Sequence, residues 1–156
     1  MAMNIEIITK ESFTVIGIEG VAQSCDDTVQ RLWAQANSRF SEVEALAKRN
    51  SDGSLAGIWG AMSDCSRSFM PWENNFSCGL YLAGVECKPD AQPPEGWTKW
   101  VLPGFEYIRA ECDGSNIFSE VLDYMDKNDM KLVGAVQDYT CPANGKNYMY
   151  FPIRSL

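Results

Sequence analysis

The residues of this chain best suited to chemistry are one carboxylate and a set of aromatic rings. Asp138 stands in G-A-V-Q-D-Y-T-C-P, residues 134 to 142, shortly before K-N-Y-M-Y-F-P-I. Both stretches read as β-strand, and strand alternation puts Leu132, Val136, Asp138 and Thr140 on one face, with Ala135, Gln137, Tyr139 and Cys141 on the other. If the first face turns inward, the Asp138 carboxylate is desolvated among apolar neighbours, at a cost that a bound cation would offset. The competing reading makes Asp138 a turn cap before Pro142 or the exposed end of a strand. Trp59, Phe69, Trp72, Tyr81, Trp100 and Tyr107 lie on strands and loops able to line a ligand site. There, each cation–aromatic contact would contribute about 0.5–2 kcal/mol. Trp33 and Phe13 read instead as core. Glu73, Glu106 and Glu111 read as solvated, and Cys65 and Cys141 are assigned no chemistry.

Composition excludes much else. The chain has no histidine, which removes Ser-His-Asp and Cys-His catalysis and histidine-ligated metal or haem. No cofactor and no metal are expected. Thirteen basic residues against 21 acidic ones give a net charge of -8, with no basic cluster to follow a phosphate backbone, so direct nucleic-acid binding is not expected. The six cysteines form no C-x-x-C pair and read as reduced thiols of a cytoplasmic protein. No apolar run approaches the roughly 20 residues of a membrane-spanning helix. Met1-Ala2-Met3 reads as an alternative start.

The elements that must position these residues repeat. I-E-I-I and F-T-V-I-G-I-E-G, at 13 to 20, read as strands. Val29, Leu32, Trp33, Ala36, Phe40, Val43 and Leu46 then recur at helical spacing over residues 26 to 50, with Ser24 and Asp27 as a capping-box-like start and Lys48 and Arg49 complementing the far end. G-I-W-G-A-M-S-D and F-S-C-G-L-Y-L-A-G-V-E-C read as two more strands, joined by a loop carrying Phe69 and Trp72. After the connector K-P-D-A-Q-P-P-E-G the pattern restarts. F-E-Y-I-R-A-E-C echoes F-T-V-I-G-I-E-G, a second helix runs from about Asn116 to Asn128, and L-V-G-A-V-Q-D-Y echoes G-A-M-S-D-C, which aligns Asp138 with Asp64. The expected fold is α+β: two pseudosymmetric strand-helix-strand-strand units, about residues 1–88 and 97–156, forming one antiparallel sheet with two helices and a central ligand groove. The whole chain, 1–156, is read as a single domain.

F-T-V-I-G-I-E-G, the R-L-W helix, P-P-E-G-W-T-K-W-V-L-P-G-F-E-Y-I and the ending V-Q-D-Y-T-C-P-A-N-G-K-N-Y-M-Y-F-P-I resemble the GyrI-like small-molecule-binding domain. That domain is shared with the effector-binding regions of AraC-type and MerR-type multidrug regulators. The resemblance implies an aromatic pocket in which an acidic residue attracts lipophilic cations; in relatives this is a Glu of an E-x-Y-like stretch. Here two registers fit that stretch, one placing Gln137 and the other Asp138 at the acidic position. Asp138 is preferred because it keeps a charge and needs no gap before the final strand. Nothing precedes the first strand, so the chain is expected to be the ligand-binding module alone, with any link to transcription passing through a separate regulator protein. The leading reading is a stand-alone protein that senses or sequesters lipophilic cationic or aromatic compounds. The alternative is a hydrolase of electrophilic small molecules that pairs a pocket carboxylate with Tyr107 or Tyr139.

Overall fold

A computed structural model of the chain describes residues 4–23, 26–112 and 116–156. Its strands are β1 (Ile5–Lys10), β2 (Phe13–Gln23), β3 (Ile58–Ser63), β4 (Cys78–Cys87), β5 (Thr98–Leu102), β6 (Phe105–Glu111), β7 (Gln137–Thr140) and β8 (Asn147–Ser155). The helices are α1 (Thr28–Ser38), the single turn α2 (Glu73–Phe76) and α3 (Ile117–Lys127). All eight strands join one antiparallel sheet in the order β1-β6-β8-β7-β3-β4-β2-β5.

That order is a pseudo-twofold. Outward from the central pair, β3 is followed by β4 and β2 as β7 is by β8 and β6, with β1 and β5 capping opposite edges. The two halves are thus two β-α-β-β units joined edge to edge. Because successive side chains of a strand alternate, each strand feeds two cores. On one face Ile16, Ile18, Ala83 and Val85 pack beneath α1 through Leu32 and Ala36, while Ile108, Ala110 and Phe151 pack beneath α3 through Ile117, Val121 and Met125. On the other face Phe13, Trp59, Trp100, Tyr107 and Tyr150 meet from both halves. Trp59 lies 4.8 Å from Phe13, 4.6 Å from Tyr139 and 5.0 Å from Tyr150, ring centre to ring centre. Such tilted and edge-on contacts add to the area that these rings bury.

The first helix departs from the pattern in the sequence. It ends at Ser38, and the chain continues as two short 3-10 turns, Phe40–Glu42 and Glu44–Leu46. Arg39 holds the break: its guanidinium pairs with Glu42 and donates to the Glu95 carbonyl at 2.8 Å, while the turns bury Val43 completely. Tertiary contacts here outweigh helical periodicity. Lys48 and Arg49 therefore lie beyond the helix, and Lys48 approaches Glu86 instead. Asp27 occupies the N-cap position without a side-chain cap; the Thr28 N–H is taken by Asp26, and Ser24 lies outside the described residues. α3 begins as expected, Asn116 accepting from the Ser119 N–H. β5 follows the connector in a stretch for which the sequence suggests no strand, and β7 is only four residues long.

The central β3–β7 ladder covers Ile58↔Thr140, Trp59↔Tyr139 and Gly60↔Asp138, then stops. Gln137 continues it with its side chain. The carboxamide oxygen accepts from the Met62 N–H at 2.6 Å, and its NH2 donates to the Met62 and Ala135 carbonyls at 3.1 and 3.2 Å. Gln137 is 3% exposed, so removing the amide strands buried backbone groups. Gln137→Ala is expected to lower the unfolding free energy by about 1–3 kcal/mol, read as a lower urea midpoint at unchanged m-value. An unchanged midpoint would show that the seam does not need this amide.

Candidate functional site

Asp138 lies on the helix-bearing face of β7, at the seam between the halves. Its registered neighbours are Gly60 on β3 and Met149 on β8. Gly60 is small for a reason: a Cβ there would collide with the Tyr81 hydroxyl and lie 3.3 Å from the Asp138 Cβ. With no side chain at Gly60, the Tyr81 ring crosses β3 and brings its hydroxyl beside the carboxylate. Trp33 of α1 closes this side, its indole N–H donating to the Tyr81 oxygen at 2.9 Å. Trp33, Gly60, Tyr81, Asp138, Thr140, Asn147 and Tyr148 are among the residues around a cavity of about 340 Å³.

A second cavity of about 210 Å³ lies along the same face, walled by Met62, Trp72, Phe76, Phe118, Val136 and Met149. Trp72 reaches it because Gly79 leaves the strand bare beneath the indole, whose N–H donates to the Leu80 carbonyl at 3.0 Å. The loop that carries Trp72 is tied across the seam. The Phe69 carbonyl accepts from the Ala135 N–H at 2.9 Å, and Arg67 pairs with Glu19.

Among the described residues, the strand carboxylates Glu86 and Glu19 have close partners and Asp138 has no ion pair. Glu86 accepts from the Trp59 indole at 3.0 Å and from Lys10 at 3.3 Å; Glu19 accepts from the Trp100 indole at 2.8 Å and from Arg67 at 2.8 Å. Among the described residues no side chain forms an ion pair with Asp138. Burial alone pushes its carboxyl up from 3.8 to about 6. Burial first, and the Asp138 charge second, also push the Tyr81 phenol upward. The result is a negative charge in an aromatic groove, held without an internal cation.

Of the aromatics singled out in the sequence, the structure brings Tyr81 to Asp138 and sets Trp72 against the adjoining cavity. Trp59, Phe69, Trp100 and Tyr107 go to the opposite face. Trp59, Trp100 and Tyr107 are 1%, 2% and 1% exposed, and Phe69 packs edge-on against Trp100. Trp59, Trp100 and Tyr107 stand apart from the groove because their strand positions have the other parity, and Phe69 because its loop folds it onto Trp100. The tyrosines considered as proton donors share that fate: Tyr107 is enclosed by Phe105 and Tyr150, and the Tyr139 hydroxyl donates to the Ala56 carbonyl. Tyr139 borders the Asp138 cavity, but its hydroxyl is committed to the Ala56 carbonyl. Trp33, Met62, Phe118 and Met149 are groove residues that the sequence reading left in the core or passed over. Trp33 sits one position beyond Leu32 on the edge of the helical stripe, which is the one signal it offered.

Asp64 does not share the surroundings of Asp138. It follows the end of β3 and accepts from Ser63, Ser68 and Met70, which hold it well below the usual carboxylate range despite partial desolvation. Glu106 and Glu111 pair with Arg154 and Lys146, and Glu73 accepts from the Cys65 N–H. Glu73 and burial push the Cys65 thiol up to about 11. Burial acts to raise Cys141, but the Asn144 and Ala143 N–H groups, with Arg109 nearby, bring it below its ordinary value. That basic influence escapes the linear sequence because Arg109 arrives from another strand. Among the described residues no cluster of three His, Cys, Asp or Glu side chains could hold a metal, and no helix is long and apolar enough to cross a membrane.

Solved structures share this architecture. SAV2435 bound to tetraphenylphosphonium superposes with a TM-score of 0.67 at 15% identity, covering 97% of this chain and 94% of that one. The EcmrR C-terminal domain gives 0.67 at 8% identity, with 100% of each chain covered. The integron cassette protein VCH_CASS2, from the mobile metagenome of Vibrio cholerae, gives 0.51 at 14% identity over 96% of this chain and 95% of that one. No curated protein sequence matches the chain. The fold is that of the GyrI-like small-molecule-binding domains. Residues 6–153 match the family described as Cass2, integron-associated effector binding protein, and the chain belongs to that family.

Proposed function

We propose that this protein binds lipophilic organic cations in the groove between α1 and α3, with Asp138 as the counter-charge and Trp33 and Tyr81 as the aromatic walls around it. The observation that carries this reading is the asymmetry among the embedded carboxylates. Glu19 and Glu86 have indole and cationic partners, whereas Asp138 has a cavity. An unpaired carboxylate in such surroundings lowers stability, and a cation lacking strong hydration of its own is the ligand that relieves the cost most fully. Aromatic faces add about 0.5–2 kcal/mol each, so a few of them with one charge reach the roughly 8 kcal/mol of micromolar binding. The likeness to SAV2435, a protein solved with tetraphenylphosphonium, supports the same ligand class. The protein would act in the cytoplasm by sensing or sequestering such compounds, with a separate regulator protein as the partner for any effect on transcription.

Calorimetric titration with tetraphenylphosphonium tests the charge. Asp138→Asn is expected to weaken binding by about 1–3 kcal/mol, roughly 5- to 150-fold, while neutral triphenylphosphine oxide loses little. Equal losses for both compounds would make Asp138 a packing residue and sink the proposal.

The pH dependence is separately testable. The folded-state value of about 6 lies above the ordinary 3.8, so between those values the native state binds more protons than the unfolded chain. Stability therefore falls as pH rises through this window, by at most about 3 kcal/mol from this group. Asp138→Asn should accordingly raise the melting temperature at pH 7.5 and not at pH 4. Cation affinity should decline as pH drops below about 6, approaching tenfold per pH unit. A flat affinity profile from pH 7.5 to pH 4.5 would contradict the role of the carboxylate.

A further inference from the structure

We infer that the groove is bipartite and that its preferred ligand is an elongated amphiphile, with one quaternary or aromatic cationic head and one apolar tail; this rests on the cation reading above. The two cavities share the floor of the sheet. Gly60 and Met62 are two residues apart on β3 and point to the same face about 7 Å apart, and Val136, immediately before β7, stands two residues ahead of Asp138 and lines the second cavity. Met149 lines the second cavity and is the registered partner of Asp138 in the first. The floor thus runs without interruption from one cavity to the other.

The chemistry of the two ends differs. The 340 Å³ end holds the carboxylate and the polar groups of Thr140 and Asn147, with Trp33 and Tyr81 over it. Every residue around the 210 Å³ end is apolar or aromatic: Met62, Pro71, Trp72, Phe76, Phe118, Ala135, Val136 and Met149. Two of these are methionines, whose unbranched thioethers adapt to tails of differing shape. A compact symmetric cation centred on Asp138 would leave this apolar end unfilled, whereas a tail running from the head across Met62 and Val136 removes both surfaces from water. The charge sits at one end of the groove, so the matching ligand carries its charge at one end.

The test is a chain-length series of n-alkyltrimethylammonium ions, from butyl to dodecyl, each titrated below its micelle concentration alongside tetraphenylphosphonium. In the unmodified protein affinity should rise about threefold to fourfold per methylene, then level off once the tail fills the cavity. Asp138→Asn should weaken every member by a similar factor and leave the slope intact. Phe118→Ser should flatten the slope, its loss growing with chain length and being smallest for the butyl compound; retained butyl binding also reports that the variant is folded. A flat series in the unmodified protein, with tetraphenylphosphonium still bound in an Asp138-dependent way, overturns the bipartite groove and leaves the cation site standing. A steep series indifferent to Phe118→Ser places the tail elsewhere and overturns it as well. Absence of Asp138-dependent binding for every cation overturns the parent reading.

Discussion

The rest of the structure depends on the short antiparallel seam between β3 and β7. Three residue pairs join the halves, and the Gln137 carboxamide carries the connection one step further by bonding both backbone groups of Met62. On one side of the seam Trp59 is held among Phe13, Tyr139 and Tyr150, rings from both halves. On the other side lie Gly60, Met62, Val136 and Asp138, the floor of the groove. A single register thus decides which rings are core and which line a cavity, because a shift of one residue would exchange the two faces.

That arrangement separates stabilising polar contacts from the one that is left open. On the aromatic face the indoles of Trp59 and Trp100 satisfy Glu86 and Glu19, and cationic side chains complete them. These are internal contacts with no vacancy for a ligand. On the helix face, Trp33 and Trp72 donate their indole N–H groups to the Tyr81 oxygen and to the Leu80 carbonyl rather than to the carboxylate. Asp138 consequently has no ion-pair partner among the described residues and borders a cavity instead. A destabilised group at the site is the usual relation between stability and binding.

The walls differ in how firmly they are held. The floor belongs to the sheet, while Trp72 and Phe76 belong to the connection between β3 and β4, in which Arg67, Phe69 and Phe76 have positive φ values of 53°, 60° and 65°. Non-glycine residues adopt that region at some cost, and here it is sustained by the Asp64–Ser68 bonds, the Arg67–Glu19 pair and the Phe69–Ala135 bond. The strained connection is what brings Trp72 over Gly79 and completes the apolar end.

The sequence carries the class of fold, the pseudosymmetric halves, the course of most strands and the grouping of Asp138 with Val136 and Thr140 on one face, because these follow from periods of two and 3.6 and from a repeated motif; it leaves open whether that face or the one with Gln137 meets the groove. It also singled out Tyr81 and Trp72. It did not determine the break after Ser38, where Arg39 and a buried Val43 stop a helix whose apolar spacing continues. Nor did it separate the aromatics of the groove from those of the core. Trp59 and Tyr81 are both strand residues in apolar runs, and only the pairing of strands distant in the chain puts one beneath Phe13 and the other across Gly60. The echo that aligns Asp64 with Asp138 has the same limit: a short local repeat does not say that one is bonded within its loop and the other borders a cavity. That no cation among the described residues reaches Asp138 emerges only from the folded chain, since the partners of a carboxylate come from elements far away in sequence.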